Sequence, residues 1–345
     1  MSKFTIDNWH ELLKYAINHN ASDIHITAGQ RPFLRIEGNL CPVDLPAPDL
    51  DELSTIIRKL TSEKQQQHLK LENELDFAWN FNGQRFRFNL SQQQGLPSIA
   101  IRLIPSEIPS LEKLGCPKVF RNLLQLTSGL ILITGRTGSG KTTTLASFLA
   151  TVSKTKPRHI ITLEDPIEYI LPADTSFISQ REYLSDFFSF EKALKNAMRQ
   201  DPDIIMIGEM RDSETIRTAL DAAMTGHLVL ASLHTKNAAE TIMRVESFFP
   251  AEVQNQIRTQ LSIVLQAAIS QQLIPAKNGS RVAAFEVLTG TPAVKNLIRT
   301  GKIQQLNSAI LAGKHDYMQT MEHSLEGLCQ SGQISQEIAK QQVEQ

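Results

Sequence analysis

The fold of this chain is decided by one stretch, Gly129-Leu-Ile-Leu-Ile-Thr-Gly-Arg-Thr-Gly-Ser-Gly-Lys-Thr-Thr-Thr144. Residues 130–134 predict a buried strand, and residues 143–152, which contain few helix breakers, predict a helix. A glycine-rich loop between a strand and the start of a helix presents backbone N–H groups and the positive end of the helix dipole to a phosphate. The stretch therefore predicts a nucleoside triphosphate site in an α/β domain.

The loop itself contains the groups that a phosphate requires. Glycines let the backbone fold tightly, so that successive N–H groups point inward. We expect the Lys141 ammonium to reach the β- and γ-phosphates and the Thr142 hydroxyl to ligate Mg²⁺. The alternative, a glycine-rich turn without a ligand, is disfavoured by the strand and helix on either side. The predicted nucleotide-binding residues are Gly135, Arg136, Thr137, Gly138, Ser139, Gly140, Lys141, Thr142 and Thr143.

Composition excludes several classes of protein. The 345 residues include 35 Lys and Arg against 36 Asp and Glu, so no global basic field holds a polyanion, and we do not expect a nucleic-acid partner. Cys41, Cys116 and Cys329 lie far apart and predict reduced thiols in a cytoplasmic protein. The first residues lack a signal-peptide pattern and no stretch approaches eighteen consecutive apolar residues. We therefore expect a soluble chain that is not exported by the usual route.

The pattern along the chain predicts two domains. Residues 1–103 read as a small α+β domain, and residues 104–117, which are rich in proline and glycine, read as a linker. In residues 118–345, apolar strands alternate with helices, as in a mainly parallel sheet covered by helices. From about residue 251 the pattern is helical, with one apolar face that comprises Ile257, Leu261, Leu265, Ala268 and Ile269.

A carboxylate follows a second apolar strand. Residues 204–208 end at Glu209, and ligands of open α/β sheets lie just beyond the carboxyl ends of the strands. We predict that Glu209 orients or deprotonates the attacking water. Because Gly208 stands where the commonest Mg²⁺-holding strand has aspartate, magnesium can be held through water. The alternative is that Glu209 caps the next helix.

Two further strands end in polar side chains. Glu164 closes residues 160–164 and is a candidate second carboxylate for water or Mg²⁺; the alternative is a solvated turn. His234 closes residues 227–234, level with Glu209, where a donor can sense the γ-phosphate. His227 begins the same strand, where we expect it to hold backbone or an adjacent subunit.

Taken together, these motifs resemble those of the secretion and pilus motor ATPases, and among them those of the PilT-like type IV pilus retraction ATPases. The loop is similar to their Walker A motif, residues 164–168 with Asp165 to their acidic box, and residues 226–235 to their histidine box. Residues 204–209, followed by Arg211, resemble their atypical Walker B motif. The resemblance covers nearly the whole chain. It implies a RecA-like P-loop NTPase core with a smaller α+β PAS-like N-terminal domain and a helical C-terminal region.

The family works as a hexameric ring with nucleotide between subunits. On this resemblance Arg87 and Arg102, in the first domain, would reach a neighbour's γ-phosphate as trans-acting fingers. The alternative is that both occupy solvent-facing strand positions. Residues 290–299, which include Leu297 and Ile298, are similar to the segment that retraction motors need, although Lys295 replaces the usual arginine. The alternative is that Leu297 and Ile298 are core residues of a helix.

The resemblance thus implies a cytoplasmic homohexamer, docked at the inner-membrane base of the pilus machine, that couples hydrolysis of ATP with Mg²⁺ to pilus retraction and twitching motility. Its partners would be the inner-membrane platform protein, the pilus machinery and a paralogous motor ATPase. Three alternatives remain: a pilus-assembly or type II secretion motor, a nucleotide-switched regulator without turnover, and a DNA translocase. Assembly motors usually carry an extra N-terminal domain and a four-cysteine zinc insertion, whereas Cys329 stands alone in this C-terminal half and the sequence starts at the PAS-like domain.

Overall fold

The computed structural model describes residues 4–343, which divide into two compact units. The first unit contains the chain up to Glu107, together with Asp165–Ile170 and Arg181–Phe188. The second unit contains Ile108–Glu164, Leu171–Gln180 and the chain from Ser189 onward. Two short segments from the middle of the sequence therefore belong to the N-terminal unit.

The first unit is an antiparallel sheet with three helices. Helix α1 begins with a capping box in which Thr5 and Asn8 bond reciprocally, and its apolar side buries Trp9 and Leu12. The strands follow the order β3-β2-β1-β6-β5-β4. Its elements are α1 (Ile6–Asn18), β1 (Asp23–Thr27), β2 (Phe33–Ile36), β3 (Asn39–Pro42), α2 (Leu50–Leu60), α3 (Glu63–Glu72), β4 (Leu75–Phe81), β5 (Gln84–Gln93) and β6 (Leu96–Ile104).

The second unit is built on a seven-stranded sheet in the order β13-β12-β7-β11-β10-β8-β9. Its elements are α4 (Val119–Leu123), β7 (Gly129–Thr134), α5 (Lys141–Thr155), β8 (His159–Glu164), β9 (Phe177–Glu182), α6 (Phe190–Ala197), β10 (Ile204–Ile207), α7 (Ser213–Met224), β11 (Leu228–Leu233), α8 (Ala238–Ser247), α9 (Ala251–Val264), β12 (Leu265–Pro275), β13 (Arg281–Thr289), α10 (Pro292–Arg299), α11 (Leu306–Ala312), α12 (Met321–Gln330) and α13 (Gln336–Val343). The last two residues of β9 are counted with the first unit.

The centre of this sheet is parallel and buried. Strands β12, β7, β11, β10 and β8 pair in parallel, and every residue of β7, β10 and β11 is buried. Helices on both faces of a parallel sheet require such continuous apolar strands, which is why the sequence reads as unbroken apolar runs there. Among the described residues, no helix is both long enough and apolar enough to cross a membrane.

The sequence interpretation fails in one segment of the C-terminal region. The apolar face expected to continue as helix through Ile269 is wrong beyond Val264, where α9 ends. Residues from Leu265 form β12, which bonds to β7 on one side and to β13 on the other. A short apolar run fits a buried strand and a buried helix equally well, and here pairing with two distant strands decides the outcome.

The sequence pattern near residues 49–69 predicts one helical segment, but the structure contains two helices there. Thr61 is extended, and the Ser62 hydroxyl accepts the N–H of Gln65, which starts α3 as a new helix. This side-chain hydrogen bond caps α3 and takes the place of a backbone hydrogen bond that an unbroken helix would make.

Candidate nucleotide site

The glycine-rich loop between β7 and α5 rests closely on β12. Gly135 and Gly140 have φ angles of +148° and +88°. A Cβ atom at Gly135 would lie 2.3 Å from the Gln271 carbonyl oxygen, and one at Gly140 would lie 2.8 Å from the Gln271 side-chain nitrogen. Gly135 therefore requires glycine for backbone conformation and for space, and Gly140 requires it for backbone conformation.

Polar groups of this loop are arranged for an anion. Lys141 begins α5, and its buried ammonium donates to the carbonyls of Gly135 at 2.8 Å and Arg136 at 3.1 Å. The Ser139 hydroxyl is buried without a hydrogen-bond partner. Buried hydroxyls are nearly always paired, so an orphaned one beside a lysine and a helix N-terminus fits a bound phosphate.

The rest of the loop is open. Arg136, Thr137 and Gly138 are exposed, whereas Thr142 and Thr143 are half-buried in the first turn of α5. A cavity of about 570 Å³, lined by Gly135 to Ser139 and by residues such as Asn237 and Leu273, adjoins the loop. Its volume lies within the usual range for a small-molecule ligand.

Strand register aligns the predicted site residues. Thr134 is paired with Leu233, Ile207 with Ala231, and Leu163 with Ile207. The next residues, beyond the carboxyl ends of these four adjacent strands, include the loop, His234, Glu209 and Glu164. The parallel sheet therefore brings to one edge four segments that lie far apart in sequence.

His234 connects the loop with Glu209. Its Nδ1 lies 3.3 Å from the Lys141 ammonium, and its Nε2 lies 3.2 Å from a Glu209 carboxylate oxygen. Because the ammonium is only a donor, Nδ1 accepts and Nε2 carries the proton that it donates to Glu209. The Thr137 hydroxyl lies at 3.5 Å from the same Nδ1. Lys141, His234 and Glu209 thus form one continuous chain of polar contacts.

Glu209 is held as an anion. Burial raises the pKa of its carboxyl group, but the hydrogen bond and charge of Arg211, at 3.0 Å, together with the hydrogen bond from His234, outweigh burial and lower the pKa below its ordinary value. An ionised carboxylate can accept a proton from water or orient it, which a protonated one cannot.

Glu164 is the buried carboxylate of the site. It is 5% exposed, at the end of β8, and one oxygen accepts from the Thr162 hydroxyl at 2.6 Å and from the Gln180 amide at 3.0 Å. Thr162 lies two residues earlier on the strand and therefore on the same face.

Sequence reasoning missed two glutamines. Gln271 is 1% exposed, supports the loop at both glycines and accepts the Thr144 hydroxyl at 2.7 Å. Gln180 bonds to Glu164; its only sequence signal is the resemblance of residues 180–182, Gln-Arg-Glu, to a segment of the motor ATPases. Neither lies in a phosphate-binding motif, and their bonds to Glu164 and Thr144 join residues more than fifteen positions apart.

Other predicted residues lie elsewhere. Arg87 and Arg102 belong to the first unit, as does Asp165. The two arginines face each other across β5 and β6; Arg87 pairs with Asp76 and Glu168, and Arg102 pairs with Asp23. His227 precedes the start of β11, where Nδ1 lies 3.0 Å from the carbonyl of Ala222. In α10, Ile298 is fully buried and Leu297 is half-buried.

Comparison with known proteins identifies the family. Residues 2–344 match the family model of type II/IV secretion system proteins. The chain belongs to this family. It is 44% identical to the type IV pilus retraction ATPase PilT of Pseudomonas aeruginosa over 334 residues, which cover 96% of this chain and 97% of the relative. It is 40% identical to a twitching motility protein of Neisseria gonorrhoeae, covering 97% and 92% of the two chains.

A solved structure agrees with the fold. The pilus retraction motor PilT with bound ADP superposes with a TM-score of 0.86 at 44% identity, covering 96% of this chain and 95% of that one. The resemblance to retraction ATPases and the prediction of an α/β fold with a secretion-ATPase core are thereby confirmed.

Proposed function

We propose that this chain is an ATPase that drives retraction of a type IV pilus. The observation that carries the proposal is the polar chain from Lys141 through His234 to Glu209 at the edge of a parallel sheet, in a protein that matches a retraction ATPase over 96% of its own length. The phosphate loop alone supports binding; the ionised Glu209 beside it supports hydrolysis.

In this proposal the chain's own residues divide the work. Backbone N–H groups of the loop and the start of α5 hold the phosphates, and Lys141 turns its ammonium from the loop carbonyls towards them. His234 uses its Nε2–H group as a hydrogen-bond donor, either to the γ-phosphate or to Glu209, which it then holds in place. Glu209 orients the attacking water and accepts its proton.

The donor set also fits magnesium. The Thr142 hydroxyl and the carboxylates of Glu164 and Glu209, directly or through water, offer the oxygen ligands that Mg²⁺ prefers. When bound, the ion would neutralise charge that develops on the β- and γ-phosphates. Thr142 is placed for this role by the first turn of α5.

The active assembly in this proposal is a homohexamer in the cytoplasm, docked at the inner-membrane base of the pilus machine. A neighbour's Arg87 and Arg102 would complete each nucleotide site. Both are held by carboxylates within their own unit, so an incoming γ-phosphate would compete with Asp76, Glu168 and Asp23 for them. The platform protein, the pilus machinery and a paralogous motor would be its partners.

Two alternatives are less well supported. Residues 1–345 contain three cysteines, fewer than the four of the zinc insertion that is usual in assembly motors. A regulator without turnover would not need an ionised carboxylate and a histidine beside the phosphate loop.

The test combines hydrolysis in vitro with motility in cells. Lys141→Ala should weaken nucleotide binding, because a charge that contacts the phosphates is removed. Glu209→Gln should still bind ATP but lose about 100-fold or more in kcat, because only the water-orienting group changes. Lys154→Ala, an exposed lysine on the same helix, is the matched control and should behave as wild type. Normal turnover by Glu209→Gln would contradict the catalytic assignment.

In cells, deletion of the gene should produce more surface pili and no twitching. Neither Lys141→Ala nor Glu209→Gln should restore movement to the deletion strain. Cells without any pili would contradict retraction and indicate assembly. Wild-type piliation and movement in the deletion strain would show that the protein has no role in pilus dynamics.

A further inference from the structure

Gln180 lies where its amide can fix the buried carboxylate of the nucleotide site. Its nitrogen donates to Glu164 at 3.0 Å, and its oxygen accepts the backbone N–H of Leu171 at 2.7 Å. We propose that Gln180 is a positioning residue that sets the orientation of the Glu164 carboxylate for ATP hydrolysis. This inference rests on the proposed function.

The orientation of the amide follows from chemistry. A backbone N–H can only donate, so the atom of Gln180 that faces Leu171 must be the oxygen. The NH₂ group is therefore directed at Glu164, where a carboxylate oxygen is the natural acceptor. A residue without both an acceptor and a donor in this geometry cannot replace glutamine.

Two donors meet at the same carboxylate oxygen. The Thr162 hydroxyl approaches at 2.6 Å from β8, and the Gln180 amide approaches from β9. Glu164 is 5% exposed and Thr162 is fully buried, so solvent has little access to the oxygen that the two donors share. Two fixed donors from two strands define the carboxylate plane, which one donor on the residue's own strand does not.

The position along the chain gives this contact its importance. Glu164 and Gln180 are each the last residue of the second unit before the chain enters the first, and Leu171 is the first residue after it returns. One amide thus joins three of the points at which the chain changes units. A catalytic carboxylate at such a point needs an anchor within its own unit, since the next residue belongs to another body.

Within the first unit, other contacts hold Asp165–Ile170 and Arg181–Phe188 together. The Arg85 guanidinium donates to the carbonyl of Ile167 at 2.7 Å, and Glu182 accepts the N–H of Ile167 at 3.0 Å while it pairs with Arg85. Asp165–Ile170 therefore remains attached to Arg181–Phe188 without Gln180. This arrangement allows the amide to be changed while the two segments stay together.

Two substitutions separate the bonds. Gln180→Glu keeps an acceptor for Leu171 but places an oxygen against Glu164, and Gln180→Met removes both bonds at similar volume. Both should lower kcat by about 10- to 100-fold. The dissociation constant of fluorescent ADP should stay within about twofold, because the phosphate loop is untouched. Gln65→Met, which changes a buried glutamine in the first unit, is the control and should keep its kcat.

Glu164→Gln separates this inference from the proposed function. If Glu164→Gln is inactive but both Gln180 variants turn over normally, the positioning role is wrong and the function stands. If Glu164→Gln itself turns over normally, the proposed role of the carboxylate fails.

A double exchange, Glu164→Gln with Gln180→Glu, restores an amide–carboxylate bond with its ends reversed. It should melt nearer to wild type than Gln180→Glu and remain as inactive as Glu164→Gln. Two results would show that the bond is merely structural and would overturn the inference. One is recovery of kcat in the double exchange. The other is a parallel loss of kcat, ADP affinity and thermal stability in both single Gln180 variants.

Discussion

Ile298→Ala should destabilise the second unit before it affects any pilus-specific function. Ile298 lies in α10, a helix that packs against α9 and α11, and its side chain is fully buried. Removing three carbons from such a site forfeits their transfer free energy and leaves a cavity. The expected loss is about 2–5 kcal/mol in the free energy of unfolding. For a unit of this size that corresponds to a fall of about 5–15 °C in melting temperature.

The matched control is Ile263→Ala, because Ile263 is the same residue type in α9 but is 55% exposed. It should shift the melting temperature by about 2 °C or less, since an exposed side chain loses little burial on truncation. Thermal melting of both variants, monitored by circular dichroism at one protein concentration, makes the comparison. Equal shifts for the two variants would refute the burial argument, as would an Ile298→Ala protein that melts like wild type.

This magnitude decides how the segment's role in retraction can be tested. An alanine substitution at both Leu297 and Ile298 would combine any loss of coupling with a loss of stability, so a non-motile result would be uninformative. Ala293 and Arg299 are exposed on the same helix. Substitutions there can leave ATP hydrolysis and melting intact while they abolish retraction, which is the outcome expected of a docking surface.

Two further predictions concern assembly and pH. Lys141→Ala subunits mixed with Arg87→Ala subunits should recover ATPase activity, because some interfaces of a mixed ring keep both elements; no recovery in rings verified to be mixed would contradict trans-acting fingers. Burial raises the pKa of Asp203, but bonds from the His159 N–H and Arg158 and the charges of both outweigh it, so the folded pKa lies below the ordinary 3.8. The stabilisation is therefore complete above that value and disappears as pH falls through the folded pKa. Urea midpoints of wild type and Asp203→Asn should differ at pH 7 and converge as the pH falls below 3.8; a constant difference would contradict this.

The sequence by itself determined the features that depend on consecutive residues. Strand β7, the phosphate loop and α5 follow one another without a break, so apolar run, glycine spacing and helix start are all local signals. Glu209 and His234 could be placed because each follows an apolar strand, and parallel strands that share a sheet present their carboxyl ends at one edge. The continuous apolar character of these strands also predicted that the sheet is covered on both faces.

Tertiary structure alone decided the features that depend on distant partners. Residues 265–269 are a strand because β7 and β13 supply their hydrogen bonds, and no local period distinguishes that outcome from a helix. Asp165–Ile170 and Arg181–Phe188 join the first unit because Arg85 and Glu182 bond to Ile167 there. Gln180 and Gln271 acquire their roles only from what lies opposite them, since an amide carries no positional signal until the fold supplies its donor and its acceptor.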